Sequence, residues 1–542
     1  MSARELITEH LDLWTGAVTH KSSAGRGRNG KIELTGIKKL RELILELAVR
    51  GKLVEQDPND EPASVLLERI AEEKARLVKE GRIRKPRMLP EITEEEMPFE
   101  LPEGWSWARL GNISQINPRN DADDEIIASF IPMPMITTSF HGEHEQEARS
   151  WREIKKGYTH FADGDIAIAK ITPCFENSKA AVFRNLESGI GAGTTELHVA
   201  RPYEGTLNQL FILLCLKSPR FLSNGENKMT GSAGQKRVPK DFFAGEPLPF
   251  PPLAEQNRIV EKVDELMALC DRLEQQVGDQ LEAHEVLVDT LLDALISSAD
   301  AAEVAKNWAR IAEHFDTLFT TEASIDKLKV STLDLAAKGR LVPFYKDEKP
   351  LKKILSFGPR NGFSPKECNH ATGYKALKLG ATTKGKLDLN ESKNVEVDVD
   401  NSSHLWLRHG DILIQRGNAS SHVGCNVMIS EDHPGFIYPD LMMKIRVKEE
   451  ADPRFISLYL SAPKSRQFMW KRMTGTSGTM PKISKKVVEA IPIALPDMAT
   501  QQATIEKVDE LMALCDQLKA RLSEVGETRT YLAEAVVEQA VQ

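Results

Sequence analysis

The stretch EKVDELMALCD occurs twice in the chain, at residues 261–271 and again at residues 506–516. An identity of eleven residues does not arise by chance in a chain of 542 residues. The repeat therefore indicates that the protein is internally duplicated, and that each copy of the segment belongs to an equivalent half.

The duplication extends upstream of both copies. Residues 229–256 align with residues 473–502 through a Met-Thr-Gly sequence, a glycine loop, a basic stretch and a proline-punctuated apolar strand. Further upstream, GDIAI at 164–168 matches GDILI at 410–414. Each half therefore contains a globular segment that leads into a long helix.

A helix with a glycine turn at its end precedes each globular segment, since residues 37–54 and 325–342 are identical at nine of eighteen positions. The region 71–100 between the first of these helices and its globule reads as a charged, solvated linker, with DNA-backbone contact by Arg82, Arg84, Lys85 and Arg87 as the alternative. We therefore predict five segments: a helical region with this linker at 1–100, a globule at 101–250, a central region with a long helix at 251–345, a second globule at 346–495, and a long C-terminal helix at 496–542.

The sequence patterns of both globules predict an α+β fold. Short runs rich in β-branched residues, such as DIAIAKI, LHVAR, DILIQR and MMKIRV, are separated by Gly, Asn and Asp, which is typical of short strands joined by turns. Apolar helical stretches, such as LNQLFILLCLKSP, lie between them.

Apolar residues recur with heptad spacing in both long helices. Such a seam is typical of a coiled coil, although any single apolar residue is equally compatible with an ordinary core position. The two helices are predicted to pair with each other in antiparallel orientation, because each leaves its own globule and runs toward the other half. The predicted seam contains Val263, Leu266, Cys270 and Leu273 in the first helix, and Val508, Leu511, Cys515 and Leu518 in the second.

Charge is unevenly distributed along a chain whose net charge is −9. Residues 350–495 contain 22 Lys and Arg against 14 Asp and Glu, whereas residues 101–250 contain 16 against 18. A basic segment in an acidic chain is the electrostatic footprint expected of a phosphate-binding surface.

The sequence lacks the motifs that are typical of several functional classes. The six cysteines form no CxxC pair, and the histidines form no HExxH pattern, so we expect no metal site and no disulfide framework. No apolar run is long enough to span a membrane, and the N-terminal residues lack the apolar core of a signal peptide, so we expect a cytoplasmic protein. The pattern favours a protein that binds rather than one that catalyses.

Five stretches of the sequence carry a resemblance to a known family, the specificity subunit of type I restriction–modification systems. They are LPEGWSWARLGNI (101–113), AKITPCFENSKAAV (169–182), GTTELHVARP (193–202), TGSAGQKRVP (230–239) and PLPFPPLAEQNRIVEKVDEL (247–266). The resemblance covers nearly the whole chain and includes the duplicated layout.

The resemblance implies that the two globules are target recognition domains, each of which reads one half of a split sequence in double-stranded DNA. It implies an α+β fold in which these domains are joined by two long antiparallel coiled-coil helices in a pseudo-two-fold repeat. The helices would dock two methyltransferase subunits, and restriction subunits would join them. The chain itself would be non-catalytic and carry no cofactor, because S-adenosylmethionine, ATP and Mg²⁺ would act in the partner subunits.

Loops that match between the halves supply the candidate DNA contacts, although a solvated or structural role is open for every one of them. Base reading in the major groove uses Arg, Lys, Gln, Asn, Ser and Thr. The candidates are Lys170, Thr172, Asn177, Lys179, Lys236 and Arg237 in the first globule, and Gln415, Arg416, Asn418, Ser420, Ser421 and Lys482 in the second. Loop glycines at 231, 234, 475 and 478 are expected to shape the loops.

Two alternatives of other classes remain at the level of sequence. A stand-alone DNA methyltransferase or nuclease with duplicated domains would require a catalytic motif, and none is recognisable. A coiled-coil scaffold explains the heptads but leaves the basic, strand-containing second globule unexplained.

Overall fold

The computed structural model describes residues 7–20, 32–83, 85, 88–232, 234–400, 402–475 and 480–541. The chain divides into two compact units. The first contains residues 1–279 and 526–542, and the second contains residues 280–525. This division does not test the five-segment organisation, which stays a prediction.

The helices follow the duplicated order that the sequence predicts. Two of them are far longer than the rest, with 45 residues in α9 and 44 in α16. The helices are α1 (Leu11–Gly16), α2 (Thr35–Val49), α3 (Ala63–Lys79), α4 (Leu110–Ile113), α5 (Trp151–Ile154), α6 (Gln209–Lys217), α7 (Pro219–Lys228), α8 (Lys240–Gly245), α9 (Leu253–Ser297), α10 (Ala301–Glu313), α11 (Phe315–Leu318), α12 (Glu322–Ala337), α13 (Pro453–Ser461), α14 (Pro463–Trp470), α15 (Lys485–Glu489) and α16 (Met498–Val541).

The strands are short, and most of them lie in the two globules. They are β1 (Thr19–His20), β2 (Ile32–Glu33), β3 (Ser106–Arg109), β4 (Ser114–Ile116), β5 (Ile127–Ile131), β6 (Glu147–Ser150), β7 (Thr159–Ala162), β8 (Ile166–Ala169), β9 (Ala180–Val182), β10 (Ile190–Gly193), β11 (Leu197–Pro202), β12 (Pro247–Phe250), β13 (Lys349–Pro350), β14 (Leu355–Asn361), β15 (Lys375–Leu377), β16 (Ser392–Asn394), β17 (Trp406–Leu407), β18 (Ile412–Gln415), β19 (Asn426–Met428), β20 (His433–Ile437), β21 (Met442–Val447) and β22 (Pro492–Ile493).

The two globules have the same sheet topology. In the first globule, one sheet has the strand order β4-β11-β8-β9 and the other has the order β6-β5-β10-β7. In the second, the orders are β14-β21-β18-β19 and β16-β15-β20-β17. Even the parallel pairing is repeated, between β5 and β10 and between β15 and β20. The internal duplication and the α+β class are therefore confirmed.

The strand that follows each Gly-Asp pair is buried on both faces. Ile166 and Ile168 of β8 belong to the core shared with α6, whereas Ala167 belongs to the core between the two sheets. Ile412 and Leu413 of β18 divide between two cores in the same way. Because successive strand residues point to opposite faces, a fully apolar run marks a strand with a layer on each side.

A buried glutamine near the start of each long helix joins that helix to its own globule. The Gln256 Oε1 atom accepts a hydrogen bond from the backbone N–H of Asn208 at 2.8 Å, and Asn208 caps α6. The Gln501 Oε1 atom accepts the equivalent bond from Asp452 at 2.8 Å, and Asp452 caps α13. Both glutamines have no accessible surface, so each globule is held to the helix that follows it.

In the first unit, α2 lies against parts of both long helices. Arg41 forms an ion pair with Asp271 at 2.7 Å, and Gln56, beyond the end of α2, donates to Glu255 at 3.1 Å. This end of the chain therefore runs antiparallel to α9. Helix α2 runs parallel to α16. The ammonium group of Lys39 lies 4.0 Å from the carboxylate of Glu534, and that of Lys52, beyond the end of α2, lies 3.5 Å from the carbonyl of Ala540. The portions of α9 and α16 in this unit are therefore antiparallel.

In the second unit, α12 takes the equivalent place. Arg340, beyond its end, donates to the carbonyl of Ile296 at 2.7 Å, and Lys327 pairs with Asp289 at 2.7 Å, so α12 runs parallel to α9. Lys329 pairs with Asp516, and Asp326 pairs with Lys519 at 2.6 Å, so α12 runs antiparallel to α16. The predicted antiparallel arrangement is confirmed in each unit, and a third helix is added to it.

The predicted seam is buried most where this third helix packs. In α9, Val263, Leu266 and Cys270 are 8% exposed or less, and in α16 the same holds for Val508 and Cys515. Leu273, Leu511 and Leu518 are partly buried. Leu287 and Leu532, which continue the heptads, are 50% and 52% exposed. The heptad positions are therefore buried in separate clusters along each long helix, and they do not form one continuous two-stranded seam.

The interpretation of 71–100 as a solvated linker is wrong in part. Helix α3 continues into this region as far as Lys79, and Leu77 is partly buried against the hydrophobic core. The buried Arg109 then fastens the following segment, since its guanidinium donates to the carbonyl of Pro90 at 2.9 Å and to Glu96 at 2.8 Å. Of the basic linker residues, the side chains at 84 and 87 lie outside the described residues.

Replacement of Gln501 by alanine is expected to destabilise the second unit by about 2–4 kcal/mol. The change leaves the buried N–H of Asp452 and two carbonyl oxygens, those of Glu450 and Pro496, without their partner. Urea unfolding measures the loss. Gln517→Ala, an exposed position on the same helix, is the control; equal stabilities of the two variants would contradict this role.

Candidate nucleic-acid interface

In the first globule, the segment after β8 is held between two others by backbone hydrogen bonds. The N–H of Lys170 donates to the carbonyl of Glu196 at 2.9 Å, and the N–H of Val238 donates to the carbonyl of Lys170 at 2.8 Å. Arg237 in turn exchanges backbone bonds of 2.8 and 3.0 Å with Thr230 across the glycine loop. We refer to residues 170–172, 194–197 and 229–238 as ladder 1.

The second globule builds the same structure after β18. The N–H of Arg416 donates to the carbonyl of Leu441 at 2.8 Å, and the N–H of Ile483 donates to the carbonyl of Arg416 at 2.8 Å. Lys482 exchanges two backbone bonds of 2.8 Å with Thr474. Residues 416–418, 439–442 and 473–483 are ladder 2, of which 476–479, including Gly478, lie outside the described residues.

The matching bonds define equivalent positions. Lys170 corresponds to Arg416 on the central segment, and Arg237 corresponds to Lys482 on the hairpin. At these two positions each ladder therefore presents one lysine and one arginine, with the two cations exchanged between the halves. All four were candidate DNA contacts from the sequence, and the structure places the two of each globule on adjacent segments; contact with DNA stays a prediction.

Of the remaining candidates of the first globule, Thr172, Asn177 and Lys179 follow Lys170 on the same loop, and the exposed Lys236 lies on the glycine hairpin. The Thr172 hydroxyl accepts a bond of 3.2 Å from the backbone N–H of Lys236. Asn177 is exposed, and Lys179 is half-buried and donates to the carbonyl of Met133 at 3.2 Å. Lys236 and Asn177 are therefore open to a ligand, whereas Thr172 and Lys179 also hold the loop in place.

Among the candidates of the second globule, Gln415 requires a correction. Its side chain has no accessible surface, and its amide donates to the carbonyl of Leu379 at 2.8 Å and accepts from Asn418 at 2.7 Å. A side chain enclosed in this way cannot reach a base, so Gln415 supports the loop from inside the domain. Ser420 and Ser421 are exposed and Asn418 is half-buried, so these three stay candidates.

The two arginines of the ladders are in different electrostatic states. Arg237 is bound by Glu196, with its Nε and Nη2 atoms at 2.9 and 2.8 Å from the two carboxylate oxygens. Arg416 is half-buried, and its Nε atom is buried without a hydrogen-bond partner among the described residues. The buried Nε is closed to solvent, but Arg416 keeps part of its surface exposed and has no ion-pair partner among the described residues, so it stays a candidate for an acceptor from outside.

A buried aspartate precedes the strand that leads into each ladder, at the end of that strand away from the ladder, and sequence reasoning did not identify either as a site residue. Asp165 is 1% exposed and accepts two bonds of 2.8 Å from Arg201; its burial raises the pKa of the carboxyl. Asp411 has no accessible surface and pairs with Arg446 and with the fully buried Lys444. The repeated Gly-Asp pair before each strand was the available signal, and these ion pairs join β8 to β11 and β18 to β21.

Two further buried basic side chains hold loops of the first globule, and one of them, His198, contacts ladder 1. Lys217 is 2% exposed, and its ammonium donates to the carbonyl of Ser178 at 2.7 Å and of Thr138 at 3.2 Å; burial lowers its pKa to about 7. His198 is 4% exposed, and its Nε2–H donates to the carbonyl of Val238 at 2.9 Å. Neither was predicted, because nothing in the local sequence distinguishes them from surface residues.

The described part of the chain contains no group of three or more His, Cys, Asp and Glu side chains placed to hold a metal ion. Within the same residues, no helix has the length and apolar character needed to cross a membrane. The six cysteines are free thiols, and burial raises the pKa of Cys270 to about 11.

Stability of the first unit is expected to fall with acidification because of His198. Burial lowers the pKa of His198 from 6.5 to about 4, so the folded state favours the neutral ring. The stabilisation is complete above pH 6.5 and is lost as the pH falls toward 4, by about 3 kcal/mol. His198→Met copies Met443, which holds the equivalent place on β21.

Urea unfolding at pH 7 and pH 4 measures this effect. The native chain should lose about 3 kcal/mol more than His198→Met over this interval. Equal losses in both proteins would show that the histidine does not titrate on unfolding.

Comparison with known proteins gives concordant results. The family model described as "Type I restriction modification DNA specificity domain" matches residues 102–283 and 347–526, one match in each half. The chain is 44% identical to the type I restriction enzyme EcoEI specificity subunit of Escherichia coli and 44% identical to the EcoAI specificity subunit of the same species. Both alignments cover the whole of both chains.

A solved structure shares the fold at lower sequence similarity. It is described as "Structural basis underlying complex assembly and conformational transition of the type I R-M system". The TM-score is 0.53 at 18% identity, and the match covers 82% of this chain and 99% of the other.

Proposed function

Because the chain belongs to the family of type I restriction–modification specificity subunits, we propose that it recognises a bipartite DNA target, with one half-site read by each globule. Its function is DNA target recognition within a type I restriction–modification system. Ladder 1 and ladder 2 are the surfaces that we assign to the two half-sites.

One observation carries this assignment. The two ladders share four backbone hydrogen bonds but carry different side chains at three equivalent pairs, Lys170 and Arg416, Glu196 and Leu441, and Arg237 and Lys482. An identical backbone provides the same approach to a duplex in both halves, while divergent side chains provide different base contacts. A protein that reads two unlike half-sites requires this combination, as a dimer does for two like ones.

In this proposal the chain itself is not catalytic. Two methyltransferase subunits supply S-adenosylmethionine and methylate adenine, and restriction subunits supply ATP-dependent activity with Mg²⁺. The family supports this division of labour, and so does the structural neighbour, whose description names complex assembly of a type I system. The helical layers around α9 and α16 are the docking surfaces that we assign to the methyltransferase subunits.

Base reading and phosphate contact are assigned to different residues of the ladders. Arg416 is half-buried and has no ion-pair partner among the described residues, so we assign it to guanine, whose O6 and N7 accept a bidentate arginine. The exposed Lys236 and Lys482 are suited to phosphate, which attracts a point charge without regard to sequence.

Exchange of one globule tests the proposal. The full chain is co-produced with its methyltransferase subunits, and residues 105–250 are replaced by the matching segment of a relative with another specificity. Methylation mapping by single-molecule sequencing should show one changed half-site and one unchanged half-site. A change in both half-sites, or methylation without any split target, would contradict one half-site per globule.

Arg416→Ala is expected to weaken binding to the target DNA by about 5- to 150-fold, which corresponds to about 1–3 kcal/mol for a bidentate contact with guanine. Binding to a scrambled duplex should change much less. Titrations on both duplexes at several salt concentrations measure the difference.

Lys352→Ala is the matched control, since this cation is 72% exposed on the same globule and lies outside ladder 2. It should leave target binding unchanged. An even loss on both duplexes in Arg416→Ala, with a salt slope reduced by about one, would instead assign Arg416 to phosphate.

A further inference from the structure

The ion pair between Glu196 and Arg237 distinguishes ladder 1 from ladder 2. The guanidinium of Arg237 binds both oxygens of Glu196, and its Nη1 atom donates to the carbonyl of Gln235 at 3.2 Å. Three of the five N–H donors of this arginine are therefore occupied. The hydrogen bonds from Arg237 also hold the pKa of Glu196 below its usual value, so the carboxylate is ionised at neutral pH.

The second globule has no carboxylate at this place. Leu441 is equivalent to Glu196, since its carbonyl accepts the N–H of Arg416 as that of Glu196 accepts the N–H of Lys170. Ladder 2 keeps the same backbone bonds with a leucine at this position. Glu196 is therefore not required for the backbone geometry of a ladder.

Stability does not explain the pair either. The side chains of Glu196 and Arg237 are 24% and 42% exposed, and ion pairs at such a surface contribute little to folding. A carboxylate on a surface that approaches DNA also repels phosphate. Glu196 therefore contributes little to stability and opposes general binding to DNA. We look for its role in a specific contact.

We propose that Glu196 is a specificity-determining residue of the first half-site, and that it accepts a hydrogen bond from the exocyclic amino group of a cytosine or an adenine. Arg237 occupies one acceptor position on each oxygen and orients the carboxylate, and the remaining positions are available to a base. Glutamate accepts from the N4 amino group of cytosine in the major groove. This inference rests on the proposed function, because it assigns a base contact to ladder 1.

The test uses the full chain in complex with its methyltransferase subunits, in the forms Glu196→Leu, Glu196→Gln and Leu441→Glu. Each complex is equilibrated with a pool of duplexes randomised over the target, and the bound duplexes are sequenced. Affinity for a scrambled duplex is measured at several salt concentrations. Thermal unfolding verifies that each variant is folded.

In Glu196→Leu, preference at one base pair of the first half-site should fall by about 5- to 150-fold, while the second half-site stays unchanged. Affinity for the scrambled duplex should rise, with a salt slope steeper by about one. Glu196→Gln keeps an acceptor oxygen, so it should retain part of the preference. Leu441→Glu should lower affinity for the scrambled duplex.

Full retention of every base preference in Glu196→Leu would overturn the inference, and so would loss of preference in both half-sites. A native complex with no split preference would overturn the proposed function itself, which separates the two failures. A folded Glu196→Gln or Leu441→Glu decides the question where Glu196→Leu does not fold.

Discussion

The backbone hydrogen bonds on either side of Lys170 and Arg416 are the constraint on which the proposed recognition surfaces depend. In each globule they fix a loop residue between a strand end and a glycine hairpin, with the same partners and nearly the same lengths. Main-chain bonds do not depend on the identity of the side chain. The geometry of a ladder can therefore be conserved between the halves while its chemistry diverges, which is what recognition of two different half-sites requires.

Buried ion pairs hold the strands that lead into each ladder. Asp165 and Asp411 directly precede the central strands β8 and β18, and each is paired with a cation on the neighbouring strand. A buried charge left without its partner is strongly destabilising, so these pairs favour one register between the strands. Gln256 and Gln501 extend the same principle to the long helices, since each joins its helix to the capped helix of its own globule.

The ladders differ in electrostatics as well as in side-chain shape. The cation on the hairpin is neutralised by Glu196 in the first globule, whereas the equivalent position in the second globule is a leucine. Composition differs as well, since the basic segment of the chain, residues 350–495, lies in the second globule.

The sequence by itself determined the duplication, the α+β class, the long helices and the loops that carry the ladders. Repeated segments and short hydrophobic periodicities indicate these features, and both can be recognised from residues that are close together in the sequence. Tertiary structure alone decided that Gln415 is enclosed, that α3 extends into the expected linker, and that the long helices share their apolar faces with α2 and α12. It also decided that Glu196 meets Arg237, forty-one positions later in the chain. Burial and pairing depend on segments that approach only after folding, so no local pattern records them.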